Sequence, residues 1–277
     1  RRFATTGSPA LALLEHPRAH TYGAVRLDGD RVVDLVEKPA EGAFRLINAG
    51  IYAVDEVLFD RLETTPRTEG ELGLTEALAA HVDDGGRLEG VMTDGLWADA
   101  TYPWDMLVLS RAILETGRIV HPENRAGVHV APSASVHQTA VLEAPVVVGP
   151  DCEIGPGVAL GPHAAVGRNV TVGANATILN SLVDADSRVG AGSTLIDCVT
   201  GQDVALGAGT TVAGGPAEVA LDGRIFHAED LGAVCGDRVR VDGAVTAEPG
   251  ALVGPEATIE SGVVVDGYVQ RGARVVR

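Results

Sequence analysis

Lysine is almost absent from this chain. Of its 21 cationic side chains twenty are arginine, and Lys38 is the only lysine. Positive charge is scarce altogether: 38 acidic residues leave a net charge of -17. Such a surface repels nucleic acid and anionic lipid, which argues against either as a partner. An acidic, lysine-poor surface suits high salt, so a halophilic source is expected. No apolar run approaches the ~18 residues that a membrane-spanning helix needs, and no basic-then-apolar leader opens the chain. There are three cysteines, Cys152, Cys198 and Cys235, without a CxxC pair. An odd, widely spaced set argues against a disulfide framework or a zinc site. A reducing cytoplasm is the simplest compartment for it.

What is present in abundance is periodicity. Counting in sixes from Val130 gives Val130, Val136, Leu142, Val148, Ile154, Leu160, Val166, Val172 and Ile178, all branched aliphatics. Two residues before each stands a smaller apolar residue, from Val128 and Ala134 through Cys152 to Ala176. Residues two apart on a strand share a face. Each hexad therefore supplies a short strand with one small and one large inward side chain. Gly149, Gly155, Gly161, Gly167 and Gly173 follow large positions, where the chain is expected to need glycine's backbone freedom at a corner. One hexad cannot bury its inner face, but stacked coils can. The phase slips by one at Val183, Val189 and Leu195 and again before Leu206 and Val212. It returns from Cys235 to Val265. Residues 214–230 carry no hexad register and read as a loop projecting from the coils. Cys152 and Cys235 are predicted core residues, and His129, His137 and His163 fall on outward or corner positions exposed to solvent.

Residues 1–120 read differently. Gly23–Leu27 and Arg31–Val36, joined by Asp28-Gly29-Asp30, form a hairpin pattern. Asn48–Val54 reads as a strand, after which Asp55 can cap a helix through Val57, Leu58 and Leu62. Thr75–Asp83 is a second helix closed by Gly85-Gly86, and Arg87–Thr93 a strand. Pro103-Trp104 opens a linker helix with apolar Leu107, Val108, Ala112 and Ile113. Mixed strands and helices indicate an α/β or α+β unit over residues 1–120, followed by an all-β solenoid over 121–277.

Four short segments stand out in order: Tyr22-Gly23, Glu37-Lys38-Pro39, Asn48-Ala49-Gly50-Ile51-Tyr52, and Trp97-Ala98-Asp99 followed by Tyr102-Pro103-Trp104-Asp105. Ahead of hexapeptide repeats, this set resembles the archaeal bifunctional proteins that join a sugar-1-phosphate nucleotidylyltransferase to an amino-sugar-phosphate acetyltransferase. The resemblance covers about residues 20–277. It implies the C-terminal part of a nucleotidylyltransferase α/β domain followed by a left-handed, three-sided parallel β-helix. It implies a sugar-1-phosphate and a nucleoside triphosphate (UTP or dTTP) as substrates, Mg²⁺ as cofactor, acetyl-CoA as a ligand of the coils, and a homotrimer. Carried over residue by residue, Asp99 is one of two metal-binding aspartates. Glu37 and Asn48 bind the sugar, as part of a sugar-phosphate site that includes Gly50, and Lys38 binds its phosphate. Gly23 lets the sugar approach the backbone. The chemistry asks for such groups, because anionic reactants need a divalent metal and cations to offset their charge. That the one lysine falls at the phosphate position supports the match, since an ammonium is not interchangeable with a guanidinium there.

Two departures from the family pattern qualify the expectation. The Gly-rich phosphate loop and the first metal aspartate are missing, and the chain opens on Arg1 rather than Met, as a fragment or processed chain would. The general-base histidine of the acetyltransferases falls on Ala191, which cannot transfer a proton. Three readings therefore stand: an enzyme of sugar-nucleotide synthesis lacking its N-terminal part, a non-catalytic subunit for oligomerisation or regulation, and a hexapeptide acyltransferase. The histidine scatter disfavours a β-helical carbonic anhydrase.

Overall fold

The computed structural model describes residues 6–65, 73–221, 223–228 and 230–277. It divides into two compact units, Arg1–Trp97 and Ala98–Arg277, so the linker helix falls in the second.

In the first unit, alternating apolar residues build five strands: β1 (Ala10–Glu15), β2 (Gly23–Asp28), β3 (Arg31–Glu37), β4 (Leu46–Ala53) and β5 (Glu89–Met92). They close into a small barrel in the order β1-β4-β2-β3-β5. β2 and β3 form the expected hairpin, with Gly29 at φ 60° in its turn. Helix α1 (Glu56–Thr64) starts where the Asp55 carboxylate accepts a hydrogen bond from Leu58 N–H at 2.8 Å, which satisfies one orphan donor of the first turn. Helix α2 (Leu74–Asp83) ends at Gly85, φ 82°. Leu11, Leu13, Val25, Val32, Leu35, Leu58, Leu78 and Leu88 pack into one core between the sheet and these helices.

The second unit is a parallel β-helix with three faces of nine, eight and seven strands. All the inward residues read from the hexads lie in or against one continuous core, and Cys152 and Cys235 are buried in it. The phase slips have a structural meaning. Val148 pairs with Val166, but Val166 pairs with Val183 and Val183 with Thr200, so coils of 18 residues give way to coils of 17. In the shortened coils the small inward position is serine, a residue that a search for apolar pairs passes over. Ser181, Ser187 and Ser193 are fully buried. Their hydroxyls accept from the N–H groups of Cys198 (2.9 Å), Val204 (3.1 Å) and Thr210 (3.3 Å) in the next coil, supplying partners that buried amides require.

Four expectations need correction. Only Gly161 of the five corner glycines has a positive φ, at 95°. At Gly149, Gly155, Gly167 and Gly173 an added Cβ would instead lie 2.5–2.9 Å from the backbone of the next coil, so close stacking is what requires glycine there. Residues 214–230 are not a free loop. They include an antiparallel hairpin, Ala217–Leu221 with Arg224–Ala228. Helix α3 (Asp105–Thr116) buries Leu107 and Leu114 but leaves Val108 70% exposed. His129, read as solvated, is buried, with Nδ1 3.0 Å from the His121 carbonyl.

The three faces differ sharply in their outward columns. The nine-stranded face carries Val147, Ala165, Leu182, Val199, Val234 and Leu252 in register. Helix α3 and the hairpin lie on it: Leu107, Val219 and Leu231 pack with Leu252, and Trp104 and Phe226 join Val199 and Val234. The Tyr102 and Trp104 rings stack at 4.7 Å, and Phe226 lies 4.6 Å from Tyr102. The eight-stranded face carries Glu153, Arg188, Arg240 and Arg274 in its column. The seven-stranded face runs Val141, Ala159, Thr177, Thr194, Thr211, Thr246, Val264, without a charge.

Candidate functional site

The first unit brings Gly23, Glu37 and Asn48 together. Gly23 opens β2, Glu37 closes β3 directly opposite it, and Asn48 lies on β4 on the other side of β2. The pleat directs them to a common point. A Cβ built on Gly23 would lie 3.1 Å from Glu37 Oε2 and 3.7 Å from Asn48 Cβ. The φ of Gly23 is not positive, so the demand for glycine is spatial: the backbone must stay bare where these side chains converge.

Asn48 is already committed locally. Its Oδ1 accepts from Gly50 N–H at 2.8 Å, and its Nδ2 donates to the Tyr52 hydroxyl. Gly50 takes a left-handed φ of 78°, so Asn48 and Gly50 shape this part of β4 together. One N–H of the amide remains for a ligand. Lys38 is exposed, and its own backbone N–H bonds the Tyr22 carbonyl at 3.1 Å. Its φ is 46°, a left-handed conformation for a non-glycine residue directly before a proline. Such strain costs of order 1–3 kcal/mol and persists only where its surroundings enforce it. The Trp97 indole N–H donates to the Ala49 carbonyl at 3.2 Å, and its ring meets Tyr22 and His16 edge-on at 5.3 and 5.8 Å. The first and fourth sequence segments thus buttress the third.

One oxygen at this point went unread in the sequence. Thr75 Oγ1 lies 3.4 Å from the same built Cβ. In sequence Thr75 reads only as the opening of a helix, and nothing local distinguishes it from a residue of that helix's first turn.

Asp99 belongs to the second unit. It is exposed, and its Oδ1 accepts from the Thr101 hydroxyl at 2.8 Å. Among the described residues no group of three or more His, Cys, Asp or Glu side chains gathers at one place. Asp99 therefore offers one carboxylate. That fits an ion such as Mg²⁺, which keeps several waters and takes further ligands from substrate phosphates. Asp105 from the same segment is structural, its Oδ2 accepting from Tyr102 N–H at 2.8 Å.

Ala191 stands exposed at a corner of the coils, between Gly190 and Gly192. The stacked corner residues above and below it are Ala174-Asn175 and Ala208-Gly209, none of which can act as a base at neutral pH. His227, on the hairpin, is 75% exposed beside Glu218 at 3.2 Å. The three thiols are buried, and burial pushes the Cys235 thiol up to about 12 and Cys198 well above its ordinary value. None is poised as a nucleophile.

Residues 4–115 match the nucleotidyl transferase family model, and residues 125–216 match that of the GMPPB C-terminal domain. The chain thus joins a segment similar to the nucleotidyl transferase family to a parallel β-helix similar to the GMPPB C-terminal domain. Among similar proteins is the bifunctional protein GlmU of Methanococcus maripaludis, 38% identical over 109 residues, or 38% of this chain and 26% of the relative. A probable mannose-1-phosphate guanylyltransferase of Oryza sativa subsp. japonica is 35% identical over 133 residues, 47% of this chain and 36% of that one. The low-salt glycan biosynthesis nucleotidyltransferase Agl11 of Haloferax volcanii is 31% identical over 107 residues, 38% and 30% of the two chains. The chain thus matches about a quarter to a third of the length of each of these curated relatives. Among the described residues no helix is long and apolar enough to cross a membrane.

Proposed function

We propose that this chain carries the sugar-phosphate side of a sugar-1-phosphate nucleotidylyltransferase, and that its β-helix serves assembly. The observation that supports it most is the convergence of Gly23, Glu37 and Asn48 at one point of the first unit. In the reaction a sugar-1-phosphate oxygen attacks the α-phosphorus of a nucleoside triphosphate and pyrophosphate leaves. Here the Glu37 carboxylate accepts from ring hydroxyls, the free Asn48 N–H donates to a sugar oxygen, and Lys38 offsets the sugar phosphate. Mg²⁺, with Asp99 as one ligand, would neutralise charge on the phosphates. The triphosphate in this reading is UTP or dTTP, and the sugar 1-phosphate that of a hexose or N-acetylhexosamine. Calorimetric titration with glucose 1-phosphate and N-acetylglucosamine 1-phosphate tests the reading. Saturable binding is expected, weakened about tenfold or more by Glu37→Gln and by Lys38→Ala. Absence of saturable binding to the wild-type chain refutes it.

Assembly follows from the faces. The apolar nine-stranded column is occupied by α3 and the hairpin, and the eight-stranded column is charged. The seven-stranded column is charge-free in a chain of net charge -17, so identical copies can meet there without like-charge repulsion. A homotrimer through this face is the closed arrangement proposed. Val147 and Ala165 are on the nine-stranded face beside helix α3, and have no part in this contact. Light scattering should give a trimer mass that Thr177→Glu reduces to a monomer; a monomeric wild type contradicts it. A reducing cytoplasm suits three unpaired thiols.

A further inference from the structure

We infer that the flank of helix α3 is a binding site for a free anionic amphiphile, a small molecule with an apolar acyl or aryl body and one carboxylate. The site lies within the second unit and does not rest on the sugar-phosphate reading. Beside the helix part of the nine-stranded face stays open. A cavity of about 370 Å³ lies there, floored by Val147, Ala165 and Leu182 and walled by Leu109 and Ile113 of α3. Ala165 is the small residue of its column, so the floor dips between its neighbours. The same floor continues into a cavity of about 530 Å³ that reaches Val199 and Thr200. Adjacent coils lie ~4.8 Å apart, so the floor from Val147 to Val199 extends roughly 14 Å. Small-molecule sites are concave and mostly apolar, hold about 300–1,000 Å³, and carry a few polar groups that fix orientation.

Charge selects the occupant. Among the described residues, the polar side chains lining the first cavity are Ser110, Arg118 and His121, and no acid lines it. Arg118 has no hydrogen-bond or ion-pair partner among them, although the chain has a net charge of -17. The nearby acid of the helix, Glu115, is engaged with His163 at 3.3 Å. In the second cavity Arg168 is paired with Asp186 at 3.5 Å, and the Asp184 carboxylate accepts from Ala185 N–H at 2.6 Å. Arg118 is therefore the cation left for a ligand. Its planar fork offers two N–H donors to a carboxylate. One guanidinium balances one negative charge, which favours a carboxylate over a phosphate monoester carrying nearly two. The apolar body then covers the aliphatic column. The acidic surface of the chain repels an anionic bilayer, which favours a free molecule over a lipid headgroup.

The test is a calorimetric titration of the full chain with naphthalene-1-acetate, with its neutral amide, and with decanoate below its micelle concentration. At least one of the two carboxylates should bind saturably, and naphthalene-1-acetamide about tenfold more weakly than naphthalene-1-acetate where the aryl acid binds. Arg118→Gln should bring the acid down to the level of the amide and leave the amide unchanged. Ala165→Phe fills the floor and should abolish binding of both. Circular dichroism checks that this variant is folded. If it is not, amide shifts of the wild-type chain locate the ligand, and they should fall at Ser110, Ile113, Arg118, His121 and Ala165. No saturable binding of either carboxylate by the wild type overturns the inference. So does a folded Ala165→Phe that binds like wild type, an Arg118→Gln that holds the carboxylate as tightly, or amide shifts placed elsewhere. Sedimentation with phosphatidylglycerol vesicles should leave the chain in solution, and cosedimentation released by Arg118→Gln would replace the free molecule with a membrane surface.

Discussion

Gly23→Ala separates a binding role from a structural one. The new methyl would lie 3.1 Å from Glu37 Oε2, 3.4 Å from Thr75 Oγ1 and 3.7 Å from Asn48 Cβ. Only the first contact is tight, and it meets the far end of a flexible, exposed side chain, which yields by a few tenths of an ångström. The backbone at Gly23 is extended rather than left-handed, so alanine adopts it without strain. The stability change should therefore stay within about 1 kcal/mol, as for surface substitutions away from special features. Binding should suffer much more. The methyl occupies the space a sugar ring must enter, and it pushes aside the carboxylate that orients the ring. A displacement of this kind costs about 10- to 100-fold, roughly 1.4–2.8 kcal/mol. Thermal denaturation and calorimetric titration on the same preparation read both quantities. Unchanged affinity with unchanged stability would refute the claim that the sugar approaches the Gly23 backbone. A large fall in melting temperature would mark Gly23 as structural.

Three further outcomes are expected. Ser181→Ala leaves the buried Cys198 N–H without its 2.9 Å partner and should destabilise the coils by about 1–3 kcal/mol, seen as a melting point lower by several degrees; an unchanged melting point would mean the hydroxyl does not serve the ladder. Cys152, Cys198 and Cys235 should resist a thiol reagent at pH 8 in the folded chain and all react after unfolding, because burial raises each pKa and keeps the thiol neutral; fast labelling of the native chain would show an open core. Acetyl transfer from acetyl-CoA to glucosamine 1-phosphate should be absent or reduced by ~10²–10⁴-fold relative to a site with a positioned base, and a thiol-release assay reading tens of turnovers per second would show that His227 or another residue takes that role.

The β-helix was legible because its signal is redundant. A period of six, repeated with paired inward positions, cannot be confused with a helical period of 3.6. Where the signal failed, chemistry replaced hydrophobicity. Ser181, Ser187 and Ser193 point inward to bond amides of a shorter coil, so an apolar count passes them by. The hairpin after Gly214 was read as a loop because its apolar residues, Val219 and Phe226 among them, follow a partner in the fold rather than a period in the chain. In the candidate site, Glu37, Asn48 and Gly23 were found through an ordered motif set, and β2, β3 and β4 bring them together across 26 residues of sequence. Thr75 lies further along, on a helix, and only folding places its hydroxyl beside Gly23. Asp99 could be named from its motif; its Oδ1 accepts from the Thr101 hydroxyl, and among the described residues no group of three or more His, Cys, Asp or Glu side chains gathers at one place.

The most direct test of the central claim is a map of amide chemical shifts in the isotopically labelled chain during titration with a sugar 1-phosphate. The account predicts saturable shifts concentrated at Gly23, Glu37, Lys38, Asn48 and Thr75, with the coils unaffected. Shifts confined to the β-helix, or none at millimolar ligand, would contradict it.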